Sequence, residues 1–399
     1  MQNKTQIKTA VVAFICTITL NVSYAQSFSD SITNYGLEVK FPAAKYGWGW
    51  SQAIFLQSIH QKYEGCTNSA EKGKYLKYIK TAMDVNFSKA NGLSPNDVVS
   101  GLGMAFLARL TKEEKYNQKA LLIYNQYQHI LKAKNGGVSH RSNIAQLWDD
   151  TIYMLAMYLF EMYKLTGDKK YLDDFMQQYN IHKAVLEDKK TGFWVHGWNG
   201  SDQEFDDSCC MVGWDMNPER KSTEFWGRGN GWIMMTLVDA LNVIPKSSPY
   251  WKILKADLIK VTANLPALQD HETGHWHQLP IYPTDSLNFL ESSCTAMFGY
   301  TMLEGIKLGI LDSKKFMPVV KNAFVGLNNY SVRIEDNQYL VPTRICIGTC
   351  IGDKDYYYHR KVVEGNDFGI GIFSMFSQKY EKQVKRKSET IRGAKGIGL

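Results

Sequence analysis

Apolar residues recur three and four positions apart along most of the chain. The runs 97–110, 152–165, 231–243 and 293–308 carry this spacing, which lines apolar side chains along one face of an α-helix. Strand-type alternation is rare, and only ten prolines interrupt 399 residues. The pattern predicts an all-α fold from about Tyr46 onward. A weak repeat organises the helices. Leu110-Thr-Lys-Glu-Glu-Lys-Tyr116 is echoed further along by Leu165-Thr-Gly-Asp-Lys-Lys-Tyr171, and a related turn spans 65–75. Each reads as a helix end, a short polar turn and a Tyr that opens the next helix. A period of about 50 residues fits a two-helix unit. Six such units fit the chain and predict an (α/α)6 barrel of six helical hairpins, one domain over 26–380. An open helical solenoid is the alternative, although the shorter period of tetratricopeptide arrays is absent.

Positions 1–25 break the pattern. Lys4 and Lys8 precede a short apolar run, 10–20, and Val22-Ser-Tyr-Ala25 offers a small-x-small cleavage site. This is the layout of a secretory signal, and the run is too short for a stable membrane span. The expectation is export, periplasmic or secreted, with no membrane span. Removing this segment lowers the formal charge from +7 to +5, because it carries two Lys and no acidic residue. A modest positive balance suits an anionic partner. Part of it lies in 381–399, which reads as a basic, disordered tail. No nucleic-acid motif is present, so nucleic acid is disfavoured as a partner. Six cysteines follow position 25: Cys66, Cys209, Cys210, Cys294, Cys346 and Cys350. Export permits disulfides. A Cys346–Cys350 bridge would be local, but spacing alone fixes no pairing. No Cys-x-x-Cys spacing occurs, and neither a metal nor a cofactor is expected.

Aromatic residues make up 13% of the chain, and several loops are rich in Gly, Trp and His. Such loops on a helical scaffold suit a cleft that receives a polar ligand. The strongest signals are Trp148-Asp149-Asp150-Thr151, opening a helical run, and Phe225-Trp-Gly-Arg-Gly-Asn-Gly-Trp232. Adjacent carboxylates on a helix diverge by about 100°, so one of the pair faces the cleft. Asp150 shares a face with Met154 and Met157. An apolar wall there would raise its pKa and keep it protonated as a general acid. Both Asp149 and Asp97 also read as helix-start residues that cap free N–H groups. Arg228, framed by glycines and flanked by Trp226 and Trp232, has a planar fork that suits a carboxylate or sulfate. His196 and His140 follow glycine-bearing turns and fit either a turn or a site. Trp226 and Trp232 could stack on sugar rings or pack.

In order and spacing these segments resemble the unsaturated uronyl hydrolases of glycoside hydrolase families 105 and 88, with family 105 nearer. The resemblance rests on Trp48-Gly-Trp-Ser-Gln-Ala53, Gln146-Leu-Trp-Asp-Asp-Thr-Ile-Tyr-Met154, the 192–198 loop, the 225–232 segment, Gly274-His-Trp-His-Gln278 and Glu291-Ser-Ser-Cys-Thr-Ala-Met297. It implies an (α/α)6 barrel. It also implies release of a 4,5-unsaturated uronic acid from the non-reducing end of lyase-generated oligosaccharides, of ulvan or of rhamnogalacturonan type. The implied chemistry is hydration: a carboxylic acid protonates C4, water adds at C5, and the hemiketal opens. By position, Asp150 would be the general acid/base and Asp97 the supporting Asp. His196, Arg228 and Trp232 would bind substrate, with Trp226 lining the pocket and His140 beside it. Asp149 departs from the family pattern, which often has an apolar residue there. A polysaccharide lyase or a non-catalytic carbohydrate-binding toroid would use a similar scaffold.

Overall fold

The helical spacing is realised along the chain in a computed structural model that describes residues 27–201 and 209–395, with side chains as far as 385. The expected leader, 1–25, lies outside the described residues. Fifteen α-helices occur among the described residues. They are α1 Phe28–Asn34, α2 Trp50–Gly65, α3 Ser69–Val85, α4 Pro95–Ser100, α5 Leu102–Thr111, α6 Glu114–Tyr127, α7 Asp149–Thr166 and α8 Lys170–Leu186. They continue with α9 Gly227–Val243, α10 Pro249–Thr262, α11 Leu265–Leu268, α12 Ser292–Lys307, α13 Ser313–Tyr330, α14 Lys354–Tyr358 and α15 Asp367–Lys395.

An inner ring closes on itself. α2 packs on α4 and α5, these on α7, α7 on α9, α9 on α12, α12 on α15, and α15 back on α2. An outer layer covers it: α3 on α2, α6 on α5, α8 on α7, α10 on α9, α13 on α12 and α1 on α15. The result is an (α/α)6 barrel. Five pairs are hairpins. The sixth joins the two ends of the described chain, because α1 supplies the outer partner of α15. Thr33 and Ser374 meet through their hydroxyls at 2.7 Å, and the Ser29 hydroxyl donates to Glu381. Gly371 lets α15 seat against α2, since a Cβ there would stand 2.7 Å from the Ile54 backbone.

The residues expected to form a disordered tail from 381 continue α15 as far as Lys395. Gln, Lys, Arg and Glu dominate that stretch and are good helix formers, with Gly393 arriving only at the end.

Turns from inner to outer helices are short: 66–68, 112–113, 167–169, 244–248 and 308–312. The return connections are long: 86–94, 128–148, 187–226, 263–291 and 331–366. Among the described residues they carry four antiparallel strand pairs. β1 Gln146–Trp148 pairs with β2 Gly197–Asn199, and β3 Trp276–His277 with β4 Leu290–Glu291. β5 Val332–Glu335 pairs with β6 Tyr339–Pro342, and β7 Ile345–Cys346 with β8 Val362–Val363. Long connections therefore gather where the inner helices begin, and the candidate residues lie there. Toward the opposite end, the ring axis holds a cavity of about 360 Å³ lined by residues that include His60, Met157, Asp239, Tyr300 and Lys379.

Candidate active site

The β1–β2 register builds the centre of the site. Trp148 stands opposite Gly197, so His196 falls beside the first turn of α7. The His196 carbonyl accepts from the Asp149 N–H at 3.1 Å. Its Nε2 lies 3.2 Å from an Asp150 oxygen, off the line of a good hydrogen bond. Its Nδ1 is 2.7 Å from the Tyr357 hydroxyl. Trp226 stacks on the imidazole at 4.5 Å, and Trp148 meets it edge-on at 5.3 Å. Burial lowers the His196 pKa against the pull of Asp150, and burial raises that of Tyr357. A neutral imidazole that accepts the Tyr357 proton at Nδ1 carries its own proton on Nε2, facing Asp150.

The two carboxyl groups of α7 part as adjacent helical residues must. Asp150 keeps part of its surface open, with its side chain 14% exposed. Asp149 turns inward and is fully buried. Burial raises the Asp149 pKa well above the carboxylate range, with the Asp150 charge acting the same way. For Asp150, burial acts to raise the pKa, but the neighbouring His196 and Asp149 side chains outweigh it and the pKa falls. The expected raised carboxyl at Asp150 is therefore reversed: of the two, it is Asp149 whose pKa is raised. The apolar face of Met154 and Met157 carries less weight than the His196 N–H. Asp149 does not act as a cap either. It is the first helical residue after Trp148, and among the described residues no well-aligned hydrogen bond reaches its oxygens, which lie against the side chain and N–H of Asp150. Gly229 of α9 leaves room for it, because a Cβ there would collide with the Asp149 carboxyl.

Asp97 sits in the first turn of α4, which packs on α7. Ser94 caps that helix, accepting from the Asp97 N–H at 3.2 Å and donating to its carboxylate at 2.6 Å. His140 stacks flat on Trp148 at 4.5 Å and bonds Thr151 Oγ1 at 3.1 Å. Burial lowers its pKa to about 4, against the Asp150 charge, so it too is neutral.

Arg228 departs from expectation. It is buried at 1% exposure and offers no fork to the cleft. It donates to the carbonyls of Cys346 and Ile347, each at 2.8 Å. It lies 3.9 Å from Glu291 and is sandwiched between Trp226 and Phe368. Its role here is to hold the 345–350 loop. Trp232 also departs. It has no exposed surface and packs on Tyr153 at 4.6 Å and on Trp50. Its position one helical turn inside α9 makes it part of the ring wall and not a sugar platform. Trp226 lines the site from behind, with its Nε1 donating to Gln278 at 3.3 Å.

The disulfide is Cys209–Cys350, not Cys346–Cys350. It ties the 209–216 stretch to the 345–351 loop, beside the small apolar cluster of Trp148, Trp214 and Ile351. Cys346 is held within the loop, near Thr349 and Gln278. Tyr357 and Glu291 were not singled out by sequence as site-building residues. Tyr357 orients His196, while Glu291 caps α12, accepts the Cys346 N–H and faces Arg228. Asp149, Asp150 and His196 are the one group among the described residues that could hold a cation, with ligand atoms within 4.8 Å of one another. A proton on Asp149 meets the same electrostatic need.

Known proteins share this architecture. The family model described as Glycosyl Hydrolase Family 88 matches residues 24–384. The unsaturated rhamnogalacturonyl hydrolase YesR of Bacillus subtilis is 26% identical over 273 residues, 66% of this chain and 72% of that one. An unsaturated 3S-rhamnoglycuronyl hydrolase of Formosa agariphila is 24% identical over 184 residues, 45% of each chain. Among solved structures, a family 105 glycoside hydrolase of C. acetobutylicum superposes with a TM-score of 0.76 at 25% identity, covering 90% of this chain and all of that one.

Proposed function

Because the chain belongs to glycoside hydrolase family 88, we propose that this glycosidase removes a 4,5-unsaturated uronic acid linked to rhamnose from the non-reducing end of an oligosaccharide. The rhamnose element is common to the names of the Bacillus and Formosa relatives. The observation that carries the reading is the Asp150–His196 pair at 3.2 Å. One partly open carboxyl beside a neutral, oriented imidazole suits hydration of an enol ether, which needs a single group to give a proton and later take one back. Asp150 delivers the proton to C4. Water then adds at C5, Asp150 accepts its proton, and the hemiketal opens. His196 sets its Nε2–H beside Asp150, and Trp148 and Trp226 exclude water from behind the pair. Arg228 acts indirectly, by holding the 345–350 loop, and Asp97 stands on α4, which packs on α7. The Cys209–Cys350 disulfide supports export to an oxidising compartment.

The test follows the ultraviolet absorbance of the conjugated double bond with lyase-digested rhamnogalacturonan and lyase-digested ulvan in parallel. A fall with either names the polymer. A rise with undigested polymer would mean a lyase, which forms the double bond, and no change with any would remove the reading. Asp150→Asn should cut turnover by about 10²-fold or more while leaving the melting temperature close to that of the parent.

A further inference from the structure

We propose that Asp149 and Asp150 form a carboxyl pair holding a single proton, stored on Asp149 in the substrate-free enzyme and passed to substrate through Asp150. The inference rests on the reading of Asp150 as the acid and adds the source of its proton. The first observation is geometric. Asp149 is fully buried, and the polar groups beside its carboxyl are the carboxyl and backbone N–H of Asp150. With Asp150 charged beside it, an ionised carboxylate in that position would put two like charges in one desolvated site, which is strongly unfavourable. The second is its surroundings. On its own helix it faces Asp150, and from the 187–226 connection the neutral His196. From α14 it faces the protonated Tyr357, and from α9 Arg228. His140, from the 128–148 connection, faces Asp150 and is neutral. Arg228 is the one cation of this set, and its guanidinium is taken by two carbonyls and Glu291. Its charge opposes the rise at Asp149 without reversing it. The third is Gly229, whose missing side chain provides the volume that the Asp149 carboxyl fills.

His196 Nε2–H favours the anion at Asp150, so the substrate-free enzyme holds Asp149–COOH beside Asp150–COO⁻. When a sugar covers the cleft, Asp150 loses water and competes better for the proton. The Asp149 O–H breaks as the Asp150 O–H forms. Asp150 then gives this proton to C4 as the C4=C5 π bond breaks. Water adds to C5, and the proton it releases restores the pair, so the net change is one water added to substrate. Asp149 is a positioning residue that acts through Asp150.

Two measurements test this. Substrate-free enzyme at neutral pH should show the infrared carbonyl stretch of a protonated carboxylic acid, missing from Asp149→Asn. In the pH profile of kcat/KM, Asp149→Asn and Asp149→Leu should each move the alkaline limb down by about one pH unit or more. Activity would be lost near neutrality and regained in acid. A structural role alone would lower activity evenly across pH and leave the limb in place, and that result would overturn the proposal. Absence of the infrared difference would overturn it as well. The infrared difference without turnover of either oligosaccharide would support the shared proton and remove the substrate reading instead.

Discussion

Burial decides how each polar side chain of the site is used. Arg228 was readable from its glycine and tryptophan setting as a residue with a task, but not as a buried one. That required knowing that the 345–350 loop folds over it. Truncation would leave Glu291 buried opposite no cation and two loop carbonyls without donors. Removing one partner of a buried pair costs about 3–5 kcal/mol. Arg228→Ala should therefore lower the melting temperature by several degrees along with activity, as thermal unfolding would record. If it raised KM and left the melting temperature unchanged, the guanidinium would be a ligand group after all. The aspartates teach the same lesson. Sequence showed that Asp149 and Asp150 diverge, because helix geometry requires it. Which one turns inward is set by the space at Gly229, far along the chain on another helix. The spacing pattern of α7 does not carry that information.

At the level of elements, helices and turns were legible and the long connections were not. Helical spacing depends on neighbours three and four positions apart, which a sequence displays directly. The polar turns after Leu110 and Leu165 do end α5 and α7, at Thr111 and Thr166. Tyr357 and the Cys209–Cys350 bridge are placed instead by contacts across 161 and 141 residues. The bridge joins two connections that border the mouth, and closing so large a loop removes much freedom from the unfolded chain. Losing a disulfide of this kind costs about 2–5 kcal/mol. Cys350→Ser should lower the melting temperature and reduce turnover by loosening the 345–350 loop on Arg228. A reductant should bring the parent enzyme to the same level and leave Cys350→Ser unchanged. A parent enzyme indifferent to reductant would mean that the bridge contributes neither order nor stability.

The closed ring also has a consequence at its far end. The inner helices enclose an axis that their facing side chains do not fill, and the cavity there partly shields polar groups from water. Asp239 of α9 lines it. The Tyr300 hydroxyl donates to one of its oxygens at 2.8 Å, and the other has no partner among the described residues. Burial pushes its pKa up to about 6, partly opposed by the Tyr300 bond and Lys379 and aided by Glu304. The folded protein thus holds this proton more tightly than the unfolded chain, whose Asp titrates near 3.8. The resulting stabilisation is full below about pH 4, fades as pH rises through 6, and is gone above it. Its size is at most about 3 kcal/mol, at roughly 1.4 kcal/mol for each pH unit that separates the two titrations. Asp239→Asn keeps the shape and removes the titration. The melting-temperature difference between Asp239→Asn and the parent should grow in favour of the variant between pH 4 and 6, then level off. A difference that stays flat across that window would show that Asp239 is already ionised in the folded ring, with water inside the cavity solvating it.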